Sequence, residues 1–160
     1  MTDLKTKYRV DFKNTNWLSM PRLTPFAIGP HSDPYMLRWR LFPANPWGNV
    51  YLHWYRHDDE DRALHDHPWW SVSFRLFGKL KEIYLDNNHT EQSRYIPWLL
   101  PVVRNATFTH RLVLPKKNAL TIFVTGRRVR EWGFHCPQGF RPWFEFVDPK
   151  SPGERGPGCD

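Results

Sequence analysis

The stretch His65-Asp66-His67-Pro68-Trp69-Trp70-Ser71-Val72-Ser73-Phe74-Arg75-Leu76-Phe77-Gly78 decides how this chain folds. After the tryptophans the residues alternate, with Val72, Phe74 and Leu76 on one side of an extended segment and Ser71, Ser73 and Arg75 on the other. A period of two marks a β-strand, because successive side chains point to opposite faces. The histidines stand at i and i+2, so the same backbone turns both imidazoles to one face. Carried back through Pro68, the parity makes one row of His65, His67, Ser71, Ser73 and Arg75. That row is expected to line a cavity, with the aliphatic face packed against a second sheet.

Working outward, the rest of the chain reads the same way. Fifteen prolines and nine glycines interrupt it every few residues, which forbids long helices. Between them lie short β-branched and aromatic runs at 35–42, 50–56, 69–77, 79–85, 99–104, 108–114, 119–125, 129–135 and 142–147. Nine such runs separated by turn residues predict an all-β sandwich or barrel. One short helix is expected near 14–18. The chain divides into an N-terminal extension (1–24), one β-barrel domain (25–148) and a disordered tail (149–160), since the tail after Pro149 lacks the apolar residues that bury surface.

Composition narrows the function. The 160 residues suit a single domain, and nine Trp, eleven Phe and six Tyr supply large rings to bury despite a hydrophobic fraction of 40%. No apolar run reaches the roughly 18 residues of a membrane helix, and the N-terminus has no hydrophobic segment of a secretory signal. Cys136 and Cys159 are too few for a disulfide framework, so a reduced, cytoplasmic protein is expected, with Cys136 a buried inert thiol. The net charge of +7 gathers at Lys116-Lys117 and Arg127-Arg128-Val129-Arg130. Both clusters sit in turns between strands, and no recognised nucleic-acid module accompanies them, so nucleic acid is set aside as a partner.

His110 is a lone polar residue sharing a face with Phe108 and Leu112. Three imidazoles from His65, His67 and His110 would make a nitrogen site for iron, zinc, nickel or copper, with positions open to water or substrate. Arg75, on the predicted cavity face, is placed to fork onto a substrate carboxylate. In Glu131-Trp132-Gly133-Phe134-His135-Cys136, alternation puts Glu131, Gly133 and His135 on one face, and His135 is a candidate further ligand or proton shuttle. Glu82 is the nearest downstream carboxylate and would serve as a further ligand if strand geometry brought it back, but an exposed strand glutamate is the expected reading.

These residues resemble the cupin superfamily, in which a His-x-His pair is followed by a Glu and a Gly, and a further His comes between two later strands. His65, His67, Gly78 and His110 fall at matching positions. The stretches His-Asp-His-Pro-Trp and Glu-Trp-Gly-Phe-His are similar to those of small cupin-like proteins of bacteria and their phages. The resemblance implies an antiparallel jelly-roll β-barrel. It also implies a divalent metal on His65, His67 and His110, with Fe(II) first and Zn, Ni or Mn as alternatives. The chain departs from the pattern where the motif Glu falls on Ser71, the preceding Gly on Asp59, the Pro-x-Gly on Asn105 and Thr107, and the Asn on Leu114. A three-imidazole centre without carboxylate resembles the thiol dioxygenase branch in ligand type. Two functions stay open. One is a mononuclear iron oxygenase acting on a small anionic molecule, with Arg75 or His135 orienting it. The other is a non-enzymatic cupin-fold binding module with a degenerate metal site. A homodimer also stays open.

Overall fold

The computed structural model describes residues 25–29, 33–59, 63–147 and 156–160. They form two six-stranded antiparallel sheets. The first runs, in spatial order, β1 (Phe26–Ile28), β2 (Met36–Arg40), β3 (Asn49–Tyr55), β10 (Ala119–Thr125), β5 (Ser71–Phe77) and β8 (Pro101–Arg104). The second runs β12 (Gly139–Pro142), β11 (Gly133–Cys136), β4 (Leu64–His65), β9 (His110–Val113), β6 (Lys81–Leu85) and β7 (Glu91–Tyr95). One helical turn, α1 (Trp143–Phe146), follows β12. The all-β architecture read from the strand pattern is therefore present.

The apolar core between the sheets joins Met36, Tyr55, Val102 and Ala119 of the first sheet to Leu112 of the second and to Leu80 and Ile96, which flank the β6–β7 hairpin. Register places the inner face of the first sheet without ambiguity. Ser73 pairs with Val102 and with Phe123, Thr121 with His53, and His53 with Arg38. Paired residues share a face, so Arg38, His53, Thr121, Phe123, Ser71, Ser73 and Arg104 all point inward. This reverses one expectation. Val72, Phe74 and Leu76 lie on the outer face, half-buried, and the hydroxyl face looks toward the second sheet. Nor is the row from His65 to Arg75 one strand. β4 ends at His65 in the second sheet, and the chain crosses through Pro68 to begin β5 in the first.

Other differences have local causes. The run 142–147 is not a strand: after Pro142 the chain turns once as α1, which buries Phe146 completely and stacks its ring on Phe134 at 3.6 Å. β11 begins only at Gly133. β7 has no counterpart among the expected strands, because Glu91–Tyr95 has no apolar alternation. It forms as the hairpin partner of β6, across a turn in which Asp86 Oδ1 accepts the Asn88 and Thr90 amides at 2.9 and 3.0 Å. The helix expected near 14–18 lies outside the described residues.

The cysteine reading is corrected. Cys136 and Cys159 are joined in a disulfide that closes 23 residues of sequence separation. The segment from 149, expected to be disordered, is described only at 156–160. There Cys159 packs on the Ala63–Phe134–Phe146 cluster, and Arg141 Nη1 donates to the Gly158 carbonyl at 2.6 Å. Free thiols consequently give no ground for a reduced compartment. Among the described residues no helix is long and apolar enough to cross a membrane.

Candidate metal centre

His65 on β4 pairs in register with His110 on β9, so both rings leave the second sheet on its inner face. His67, two residues beyond His65, keeps that parity although β4 has ended; its amide donates to the Ala106 carbonyl at 3.2 Å. The three rings form a nearly equilateral triangle, with centroids 5.0, 5.1 and 5.2 Å apart. Each offers a ring nitrogen, and these nitrogens lie within 4.8 Å of one another. The two Nε2 atoms of His67 and His110 face each other at 2.9 Å. An ion about 2.1 Å from each nitrogen would hold ligands at right angles about 3 Å apart, so the spacing suits a shared ion. His65 Nδ1 is buried without a hydrogen-bond partner, and its Nε2 lies 3.6 Å from Asp59 Oδ2. Phe134, Trp132 and Phe123 close round the rings.

The protonation states favour ligation. Burial, reinforced by the neighbouring imidazoles, holds His67 well below the usual histidine value. Burial also lowers His110 to about 4, against the opposing pull of Glu82. Neutral imidazoles present the lone pair a metal takes.

Glu82 corrects the reading of an exposed strand glutamate, since its side chain is 0% exposed. It lies on β6 diagonal to His110, whose register partner is Tyr84. Its Oε1 accepts from His110 Nδ1 at 2.6 Å and from Arg104 Nε at 2.5 Å, and its Oε2 accepts from Arg94 Nε at 2.7 Å. Burial alone would raise its pKa, but the His110 hydrogen bond and the Arg104 charge outweigh that and bring it down to about 2. The carboxylate thus keeps the His110 proton on Nδ1 and leaves Nε2 facing the cluster, the arrangement that orients metal-binding histidines. Arg104, which the sequence reading did not single out, also donates to Ser73 Oγ at 2.7 Å. The alternation of Val102 and Arg104 on β8 was the signal that could have found it.

Asp66 is turned away from the triad by the strand pleat. It clamps β4 to β11: its amide donates to the Gly133 carbonyl at 3.0 Å, and its Oδ1 accepts the Gly133 amide at 3.0 Å. Its Oδ2 takes Arg130 Nη1 at 2.6 Å and lies 3.2 Å from His135 Nε2. Burial pushes the Asp66 pKa up, yet the His135, Arg130 and Gly133 hydrogen bonds prevail and lower it.

The two residues expected to orient a substrate both have protein partners. His135 lies on the Asp66 side of β11, opposite Phe134. Arg75 donates from Nε to the Ile96 carbonyl at 2.7 Å and from Nη1 to the Gly78 carbonyl, which ties it to the turn after β5. Ser71, at the position of the missing motif Glu, is buried with its hydroxyl unpartnered.

Two facing antiparallel sheets with a three-histidine cluster between them define a cupin-type fold, and known structures bear this out. HppE in its Fe(II) form aligns with 73% of this chain and 62% of its own at 13% identity and a TM-score of 0.53. Fe(II)-HppE with the alternative substrate (S)-1-HPP aligns over 63% and 54% at 15% identity and a TM-score of 0.51. A point mutant of Bacillus subtilis oxalate decarboxylase aligns over 67% and 30% at 10% identity and a TM-score of 0.51. The chain therefore spans a little over half the length of HppE and under a third of oxalate decarboxylase. No protein-family profile and no curated protein sequence matches it.

Proposed function

We propose that this chain is a mononuclear metal protein of the cupin fold, with His65, His67 and His110 holding Fe(II), that carries out oxygenase chemistry on a small anionic substrate. The observation that carries the reading is the convergence of three imidazoles with the His110 proton pinned by Glu82. The aligned HppE structures contain Fe(II), one of them with the alternative substrate (S)-1-HPP, and oxalate decarboxylase is described with Mn(II) centres; both support a divalent ion. Bound there, the metal would supply Lewis-acid character and, as iron, one-electron redox chemistry.

The chain's own residues do the rest. Glu82 fixes the ring of His110 and its tautomer. Trp132, Phe134 and Phe123 keep the histidines in apolar surroundings. Ser71 brings no negative charge, so an ion on this ligand set keeps its full positive charge and favours an anion as its next ligand. Arg75 and His135 hold the frame and are given no contact with substrate.

The test is anaerobic addition of Fe(II) to chelator-treated protein, followed by dialysis and elemental analysis. One equivalent should be retained by the native chain and none by His67→Ala, whose far-ultraviolet circular dichroism should stay that of a β protein. Iron retained without oxygen consumption across a panel of small carboxylates, thiols and phosphonates would favour the binding module. Failure to retain any divalent metal would overturn the proposal.

A further inference from the structure

Four arginines lie on the inner face of the first sheet, and their partners divide them into two groups. Arg104 has the Glu82 carboxylate, and Arg75 has two backbone carbonyls. Arg38 and Arg40, two residues apart on β2 and thus on one face, have no carboxylate partner among the described residues. Arg38 spends Nε on His53 Nε2 at 2.9 Å and lays its guanidinium over the Tyr51 ring at 5.1 Å. No protein group among the described residues accepts from its two terminal nitrogens. Arg40 lies over the Phe26 ring at 5.7 Å, and its Nε is buried with no hydrogen-bond partner.

A guanidinium is never neutral in a protein, so two of them on one face of a partly buried strand leave charge uncompensated by any described carboxylate. Both side chains are only half-buried, which leaves their terminal nitrogens, though not the buried Arg40 Nε, open to solutes. Arg38 also lies near the triad. Phe123 stacks on His53 at 4.9 Å and lies 6.3 Å from the His67 ring, so one aromatic ring separates the Arg38 partner from a metal ligand. The His53 ring accepts the Arg38 Nε–H and so remains neutral. Burial and the Arg38 charge both hold its pKa well below the usual value.

We infer that Arg38 and Arg40 form an oxyanion subsite beside the metal centre, which binds the doubly charged end of a small substrate, a phosphoryl-type dianion in preference to a single carboxylate. Two guanidinium forks offer parallel N–H donors to adjacent oxygens and match two negative charges. Among the described residues, no protein group accepts from the terminal Nη atoms of Arg38 or Arg40, and these are the donors the anion would take. What the subsite adjoins rests on the metal reading, whereas its hold on an anion does not.

Calorimetric titration of inorganic phosphate and of acetate into the full chain tests it, with the protein as isolated and again after chelation and dialysis. Phosphate should bind one to one in both forms, at least about tenfold more tightly than acetate. Arg40→Gln and the charge-conserving Arg38→Lys should each weaken phosphate at least about tenfold while keeping the metal content of the native chain; a tenfold change is about 1.4 kcal/mol. Arg38→Lys guards against the loss of fold that an unpartnered His53 would bring in Arg38→Gln. Lys116→Gln with Lys117→Gln, in an exposed turn, should leave binding unchanged. Absence of stoichiometric phosphate binding, equal affinity for acetate, retention of affinity in Arg40→Gln and Arg38→Lys, or its loss in the double lysine-to-glutamine variant would each overturn the subsite. A failed metal reading would show instead as no metal in any variant, with phosphate binding intact.

Discussion

Replacing Glu82 by leucine removes the charge that Arg104, Arg94 and His110 share, and its consequence can be sized in two ways. The carboxyl is held at about 2 against an ordinary 4.5. At about 1.36 kcal/mol per unit, that difference corresponds to about 3 kcal/mol of preference for the charged form in the fold. Independently, Arg104, 2% exposed, would keep only Ser73 Oγ at 2.7 Å and the Val102 carbonyl at 3.4 Å. Stranding one member of a buried ion pair costs about 3–5 kcal/mol. Glu82→Leu should therefore lower the urea-derived stability of the metal-free protein by about 3–5 kcal/mol, or its thermal midpoint by about 6–20 °C for a chain of this size. Glu82→Gln keeps an oxygen for His110 and Arg104, while Arg94, 40% exposed on its side chain, can turn to water. Its loss should be roughly half as large. Metal affinity should fall about 10–100-fold in Glu82→Leu, and by less in the glutamine variant. A loss below about 1 kcal/mol in the leucine variant would refute the buried carboxylate with its three partners. Equal metal binding in both variants and the native chain would refute its hold on His110.

Three further outcomes are expected. Cys159→Ser opens a loop of 23 residues of separation. Loop entropy puts its stability loss at about 3 kcal/mol, so a thermal midpoint that does not move, with or without reductant, would show that the bond contributes nothing. Gly133→Ala drives a Cβ into the Arg141 carbonyl oxygen, far inside van der Waals contact. Because that oxygen is backbone, the β11–β12 pairing and the Asp66 clamp must give way together, with a loss above about 2 kcal/mol; an unchanged urea midpoint would contradict the clamp. The Thr90 and Asn88 amides hold Asp86 below its ordinary 3.8. A depressed value means that the turn's stabilisation is present above 3.8 and lost as pH falls through the lower, folded value. Nuclear magnetic resonance titration of those amides should give a midpoint under 3.8, and one at or above it would rule out the capped turn.

The strand period was legible because alternation survives in the sequence wherever the two faces of a strand differ in polarity. For the same reason the direction of the first sheet is easily misread: Val72, Phe74 and Leu76 look like core, yet the interior is the side with Ser71, Ser73 and Arg104. A pattern of two faces says that they differ, and only the second sheet says which is inside. The His-x-His spacing survived as a site because β4 and the residues after it stay extended. Glu82 was out of reach, since its meaning depends on the β6–β9 register, which joins segments far apart in the chain. Cys159 was unreadable for a related reason. A short apolar-poor tail gives no sign of what it docks against until β11 presents Cys136.

The pleat gives the triplet His65-Asp66-His67 two separate instructions. Its outer members face the cluster, and its middle member faces the neighbouring strand, so substitutions one residue apart report on different properties. Changes at 65 or 67 should be answered by exogenous imidazole, which can refill a ligand position from solution. A change at 66 should be deaf to it, because what is lost there is a seam between strands. A three-residue stretch can thus vary its chemistry and its architecture independently.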